Sequence, residues 1–422
     1  MGTRMAAALA AMFLGFGAVG QSVSRAVFVG HYHTTTASVT SFRVNADDSL
    51  TMVGNYPTEM WTYTLALSPD GSLLAAAEAA GSQDGSSTMD RFHVFAVAAD
   101  ASLTKLASFW IDNSPLAATW LSDEVIAITR SEFGASQIHV WRFDRDALTL
   151  TKLSSQSSGS FNTALALHPV DGKLYSQDST ALNIKRWVIN PDWTLTNDLT
   201  VGTPNYPLNI RISRDGTKLY AGGGISGDGK KILGYDVAEG VLMPLPGSPY
   251  TSPGASPAYP AITDDGAYLF MGHGTDATVR SFRINADGSL TSTGFMFDVG
   301  LQGTIGNMDS MDDLLFVTDD STATDGIAGL YVFKVHANGS FTLTAPIYDT
   351  GAVRAEGGMA VWRGLPPCYA DCNGDTVVNT LDVLCFLNLY TAGDPGADCS
   401  GDTVVNSLDV LCFLNAYNAG CP

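Results

Sequence analysis

Residues 42–51 read Phe-Arg-Val-Asn-Ala-Asp-Asp-Ser-Leu-Thr: an aromatic residue, alternating apolar positions, an Asn/Asp turn and then Leu-Thr. Two short β-forming runs across a polar turn are the mark of a hairpin. The phrase begins at Phe42, Phe95, Trp141, Trp187, Tyr235, Phe282 and Phe333, at spacings of 53, 46, 46, 48, 47 and 51 residues. A second turn alternates with it: SPDG at 68–71, HPVDG at 168–172, SRDG at 213–216 and TDDG at 263–266, with worn copies at 121–124 and 310–313. It too is flanked by apolar runs, so each unit holds four strands. Four strands at a period of about 40–50 residues predict the blades of a β-propeller.

The ends of the repeat array carry the closure. Three strands (Ala26–His31, Ser38–Val44, Leu50–Tyr56) precede the first SPDG turn, and a lone strand, Gly357–Trp362, follows the last unit. Three plus one completes a seventh blade, with the C-terminal strand innermost. Closure of this kind removes two exposed sheet edges. The register-matched aromatics Phe42, Phe95, Trp141, Trp187, Tyr235, Phe282 and Phe333 are expected in the core. The expected fold is all-β, a seven-bladed propeller over residues 25–363, joined by a linker at 364–367 to a small helical module at 368–422.

That module contains all six cysteines and a second repeat. Asp371 to Asn388 reappears 27 residues on as Asp398 to Asn415. Each copy spaces oxygen donors as in an EF-hand calcium loop, with a backbone carbonyl as one ligand. The candidate ligands are Asp371, Asn373, Asp375, the carbonyl of Val377, Asn379 and Asp382, then Asp398, Ser400, Asp402, the carbonyl of Val404, Asn406 and Asp409. Two bound calcium ions are expected. Thr376 and Thr403 stand where the usual loop glycine would be, and the last ligand is Asp rather than Glu. Each loop runs into an apolar helix, Leu381–Tyr390 or Leu408–Tyr417. Cys368, Cys372, Cys385, Cys399, Cys412 and Cys421 are expected to form three disulfides. A Cys368–Cys421 clasp would join the module's ends, and the pairing of the inner four stays open. Zinc is disfavoured here by the lack of a CxxC pair or a histidine.

The duplicated loop-plus-helix unit resembles the type I dockerin. The resemblance implies a docking partner of the cohesin kind, or another cell-surface protein, read at Thr380, Leu381, Ser407 and Leu408. The basic pair that the family carries farther along each helix is replaced here by Leu387-Asn388 and Leu414-Asn415.

Residues 1–20 read as a secretory signal: Arg4, an apolar run from Met5 to Val19, and small residues at Ala18-Val19-Gly20. That run is short for a membrane span. The expected location is extracellular or at the cell surface, in agreement with the cysteine usage. Net charge is −20, from 42 acidic and 22 basic residues, which disfavours nucleic acid and anionic membranes as partners.

The blade phrases resemble the seven-bladed lactonase family of 6-phosphogluconolactonase-type propellers. The resemblance implies an Arg-His pair shortly before the His168-Pro169 turn, where this chain has Thr163 and Ala164, and a Glu that falls near Asp178. Lactone hydrolysis needs a base for water and a donor for the developing oxyanion, and the residues best suited to both are missing. Other candidates for a channel mouth are His31, Glu78, Arg130, Asp178 and His273, all in matching turns and so expected to be solvated. His93, His139 and His336 lie in hairpin phrases, as structural or surface residues. No GxSxG, HExxH or P-loop occurs. The reading is a secreted binding protein for a glycan, peptide or small molecule, tethered through its tail. The alternatives are a lactonase-like hydrolase and a component of a polysaccharide-degrading assembly.

Overall fold

In the computed structural model the described residues are 25–33, 35–79, 89–112, 114–131, 135–224, 229–300, 305–319, 329–355, 357–363, 370–373, 378–399 and 404–419. The expected signal segment and linker lie outside them. The chain divides into two compact units, one at Ser24–Leu365 and one containing Pro366–Pro422, and each is described by itself. No helix among the described residues is long and apolar enough to cross a membrane.

The larger unit is a seven-bladed β-propeller. Its blades are seven antiparallel sheets of four strands, two of them with one further short strand pairing at the edge. In blade 2 the order from the axis outward is Thr62–Leu67, Leu73–Glu78, Met89–Val97 and Leu103–Asp112. The inner strands of blades 3 to 7 are Ala118–Trp120, Leu165–Leu167, Leu208–Ile212, Pro257–Ile262 and Ile305–Met311.

Blade 1 is the closing blade. Leu50–Pro57, Ser38–Val44 and Arg25–Gly30 are followed inward by Met359–Trp362, antiparallel to Arg25–Gly30 with Ala26 opposite Trp362 and Val29 opposite Met359. The closing strand starts two residues later than the sequence suggests. Gly357 and Gly358 instead thread a tight passage: a Cβ on Gly357 would lie 2.2 Å from the Thr62 carbonyl oxygen, and one on Gly358 2.2 Å from the Leu65 nitrogen. Only glycine fits there.

The core lies between blades. Phe28, Phe95 and Trp362 share one apolar cluster that joins blades 1 and 2. Val27, Val29 and Phe42 share another with Phe316 and Val332 of blade 7, so packing closes the ring as well as pairing. Of the repeated aromatics, all are buried except Trp141, which is partly buried.

The turn chemistry follows the sequence. In the first hairpin Asp47, Asp192 and Asp287 each accept a hydrogen bond from the backbone N–H two residues on. The next position is left-handed, and Asp48 (φ 63°), Ala101 (φ 70°), Trp193 (φ 65°) and Gly288 (φ 81°) occupy it. Asx turns supply the local acceptor that stabilises this shape.

The C-terminal unit holds two helices, α1 (Thr380–Ala392) and α2 (Ser407–Ala419), each slightly longer than expected. Asn379 caps α1 in a capping box with Asp382, and Gly393 ends it in the left-handed region. Phe386 and Phe413 stack with ring centroids 4.2 Å apart. Disulfides join Cys372 to Cys385 and Cys399 to Cys412, tying the start of each loop to its own helix. This resolves the inner pairing. Cys368 and Cys421 lie outside the described residues.

Candidate functional site

The axial channel opens at the end where the inner strands begin into a cavity of about 340 Å³. Its aromatic lining is Tyr63, Phe161, Tyr206 and Tyr259, and its polar lining includes Thr163, Asn209, Asn307 and Arg211. β-Bulges build this rim. The pairing register skips Tyr63, Asn209, Ala258 and Gly306 in blades 2, 5, 6 and 7. A bulge turns a side chain out of the regular alternation, which re-aims it toward a site. Asn209 also has a left-handed backbone (φ 42°), and its amide donates to the Ala258 carbonyl at 3.0 Å. The Asn307 amide donates to the Gly357 carbonyl at 3.4 Å, bridging blade 7 to the closing segment. Arg211 donates to the Met308 carbonyl and to Asp309 Oδ2, both at 3.3 Å.

Among the described residues that line this mouth there is no carboxylate and no imidazole, and Arg211 is the single formal charge. Thr163 and Ala164, where the lactonase resemblance places Arg and His, do face the mouth. Thr163 Oγ1 accepts from Gln177 Nε2 at 2.5 Å.

The other end of the channel is different. Arg214 and Arg363 both pair with Asp264, at 2.7 and 2.9 Å, and Arg211 reaches Asp309. Three guanidiniums share two carboxylates there, so every charge at that end has an opposite partner.

The five turn candidates sit at the expected end of the blades but line neither cavity. Their expected solvation is corrected: His31, Glu78, Asp178 and His273 are fully buried, and Arg130 is partly buried. Each second strand runs antiparallel to its inner strand and so finishes beside the chain arriving from the previous blade. That incoming chain exposes backbone N–H groups that need acceptors once buried. Glu78 Oε1 accepts from the Glu59 and Met60 amides at 2.6 and 2.9 Å. Asp178 accepts from Ser160, Phe161 and Ala181 at 2.8, 3.2 and 3.0 Å. His273 Nε2 lies 2.7 Å from Ser252 Oγ, and its Nδ1 3.1 Å from the Thr278 carbonyl. His31 Nδ1 meets the Ser38 carbonyl and hydroxyl at 3.2 and 3.1 Å. Burial depresses both His31 and His273 to about 4, so both rings are neutral at pH 7. Glu78, Asp178 and His273 thus clasp the blade-to-blade crossovers, whereas His31 holds the turn between two strands of its own blade. Of the remaining histidines, His93, His139 and His168 are buried, His33 is partly buried and His336 is exposed.

In the C-terminal unit Asp382 and Asp409 are fully buried. Asp382 accepts from the Asn373 and Asn379 amides at 3.1 and 2.8 Å, and Asp409 from Asn406 at 2.7 Å. Asp371 is buried as well. Asp375, Val377, Ser400 and Asp402 lie outside the described residues. Along the helices Leu381, Leu384 and Leu387, and Leu408, Leu411 and Leu414, remain 42% to 58% exposed. Of each row, the first leucine is the expected partner-reading residue and the last stands where the dockerin resemblance places a basic residue. The i, i+3, i+6 spacing of the other leucines was the available signal.

The fold defines a seven-bladed propeller carrying a small disulfide-bonded helical unit. Among solved structures, it is similar to a candidate 6-phosphogluconolactonase from Bacteroides fragilis (TM-score 0.65, 18% identity, covering 81% of this chain and 99% of the other). It is also similar to the periplasmic gluconolactonase of Pseudomonas aeruginosa (TM-score 0.63, 17% identity, 81% and 99% covered). A candidate 6-phosphogluconolactonase from Bacteroides uniformis matches at TM-score 0.64 and 17% identity, over 81% of this chain and 100% of its own. No protein-family model matches the sequence, and no curated protein does.

Proposed function

We propose that this chain is an exported binding protein whose propeller holds a polyhydroxylated, sugar-like ligand at the channel mouth and whose C-terminal unit binds calcium and docks to a partner protein. The observation that carries the first part is the composition of the mouth. Aromatic faces, side-chain amides and one guanidinium surround a concave site that lacks, among its described residues, a carboxylate or an imidazole to activate water. Aromatic rings pack on the apolar face of a sugar ring, and amides and guanidinium meet its hydroxyls, the mixture expected of a small-molecule site. Saturation-transfer NMR with monosaccharides, sugar acids and short glycans tests it. Signal from at least one class should vanish in Tyr259→Ala and weaken in Asn307→Ala. No transfer from any of them would refute it.

The second reading is lactone hydrolysis, favoured by the gluconolactonase names among the structural neighbours. Against it stand Thr163 and Ala164 at the mouth.

For the tail, the support is the pair of buried carboxylates. Asp382 and Asp409 sit at the base of the duplicated loops, where a divalent cation would offset the cost of burying a charge. Asp371, Asn373, Asn379 and Asp382, and Asp398, the Val404 carbonyl, Asn406 and Asp409, supply oxygens of the hardness calcium selects. The two exposed leucine rows give a partner of the cohesin kind, or another cell-surface protein, an apolar surface to cover. Export is supported by the N-terminal charge pattern and by disulfides, which persist in oxidising compartments. Participation in a polysaccharide-degrading assembly is a narrower form of the same reading.

A further inference from the structure

Away from the channel, blade 2 brings together Glu59, Glu78 and His93. His93 lies opposite Ala76 in the pairing of the second and third strands, so Glu78, two residues on, is its diagonal neighbour on the same sheet face. Glu59 arrives on the crossover from blade 1. His93 Nε2 is 2.9 Å from Glu59 Oε2 and 2.9 Å from Glu78 Oε1, and one donor atom from each residue lies within 4.8 Å of the others.

We infer that Glu59, Glu78 and His93 form a binding site for a divalent transition metal, with zinc as the ion of choice. A single Nε2–H has one direction and cannot satisfy two carboxylate oxygens, whereas a cation among the three donors satisfies all of them. Glu78 gives independent support. It is fully buried, its Oε1 is already committed to two backbone amides, and its Oε2 is buried without any hydrogen-bond partner. A buried carboxylate oxygen left in this state is costly, and a metal ion relieves that cost. The ring is also held from behind, because His93 Nδ1 lies 2.8 Å from Ser108 Oγ. Support of this kind at the far nitrogen is the usual orientation of a metal-bound imidazole.

The donor set separates this site from the calcium loops. One imidazole and two carboxylates suit zinc and its neighbours, whereas calcium requires six to eight oxygens. Three protein ligands leave a coordination position open on the side of Glu59, whose side chain is 49% exposed. Bound metal would fasten the blade 1 to blade 2 crossover to the second and third strands of blade 2.

The test uses the full chain, stripped of metal and then saturated with calcium so that the tail loops are filled. Zinc is titrated calorimetrically, and cobalt is titrated in parallel for its ligand-field absorption. One zinc per chain is expected, with a raised melting temperature by linkage. Glu59→Gln, at an exposed position that leaves the core intact, should weaken binding at least tenfold, and His93→Gln should abolish it. Absence of zinc binding by the folded wild-type chain would overturn the inference. So would binding unchanged in Glu59→Gln.

Discussion

Ring closure can be tested at one side chain. Trp362 is 2% exposed, ends the closing strand opposite Ala26, and packs with Phe28, Leu74 and Phe95 where blades 1 and 2 meet. Its indole also fills the space above Gly71, where an added Cβ would lie 2.6 Å from Nε1. Truncating a buried tryptophan to alanine costs about 3–5 kcal/mol. At about 2.1 cal/mol/K per residue, unfolding the Ser24–Leu365 unit carries an entropy of about 0.7 kcal/mol/K, so Trp362→Ala should lower the melting temperature by about 4–7 °C. Trp110 is the control. It is 54% exposed, and its principal contact is the Arg91 guanidinium 3.8 Å above the ring. An exposed cation–π pair contributes about 0.5–1 kcal/mol, so Trp110→Ala should shift the melt by about 1 °C. Calorimetry of the three proteins at one calcium concentration decides the matter. A Trp362→Ala melt within about 1 °C of wild type would refute the claim that this strand carries the closure.

Two further outcomes follow from burial and charge. Calcium titration of the full chain should reveal two sites, and Asp382→Ala should remove one of them while leaving the propeller's own melt in place; a flat titration at about 1 mM calcium, the extracellular range, would refute the loops. The pH dependence follows from His31 and His273, which burial holds at about 4 in the folded state against about 6.5 in the unfolded chain. Between these values the unfolded chain binds more protons, so stability is full above about 6.5 and falls as pH drops toward 4. The fall in melting temperature over this window should be smaller in His273→Gln, and an equal fall would contradict the assignment.

The architecture was legible because the propeller writes one supersecondary unit repeatedly. The Asn/Asp turn at 45–49 and the Gly71, Gly172, Gly216 and Gly266 turns mark every second hairpin, and their left-handed glycines have φ between 67° and 71°. The three-plus-one count could be read because the lone C-terminal strand had no other partner. The site was less legible. Residues at the ends of the second strands share a register, and the sequence places Glu78, Asp178 and His273 at one end of the propeller. It does not reveal that each turns back to satisfy buried crossover groups. The residues that do face the channel are displaced by bulges at Tyr63, Asn209, Ala258 and Gly306, and a one-residue bulge leaves no trace in an alternating apolar pattern. The leucine rows were missed for another reason: exposed leucine on a helix looks like core until packing shows which face is covered.

The most direct test of the binding reading is the turnover of sugar lactones. Gluconolactone and 6-phosphogluconolactone are incubated with the calcium-loaded full chain, and acid release is followed against buffer alone. With Thr163 and Ala164 at the mouth, and neither carboxylate nor imidazole among its described lining residues, no acceleration over buffer is expected. Turnover above roughly one per second, within the ordinary enzyme range, would contradict it and make the propeller a lactonase.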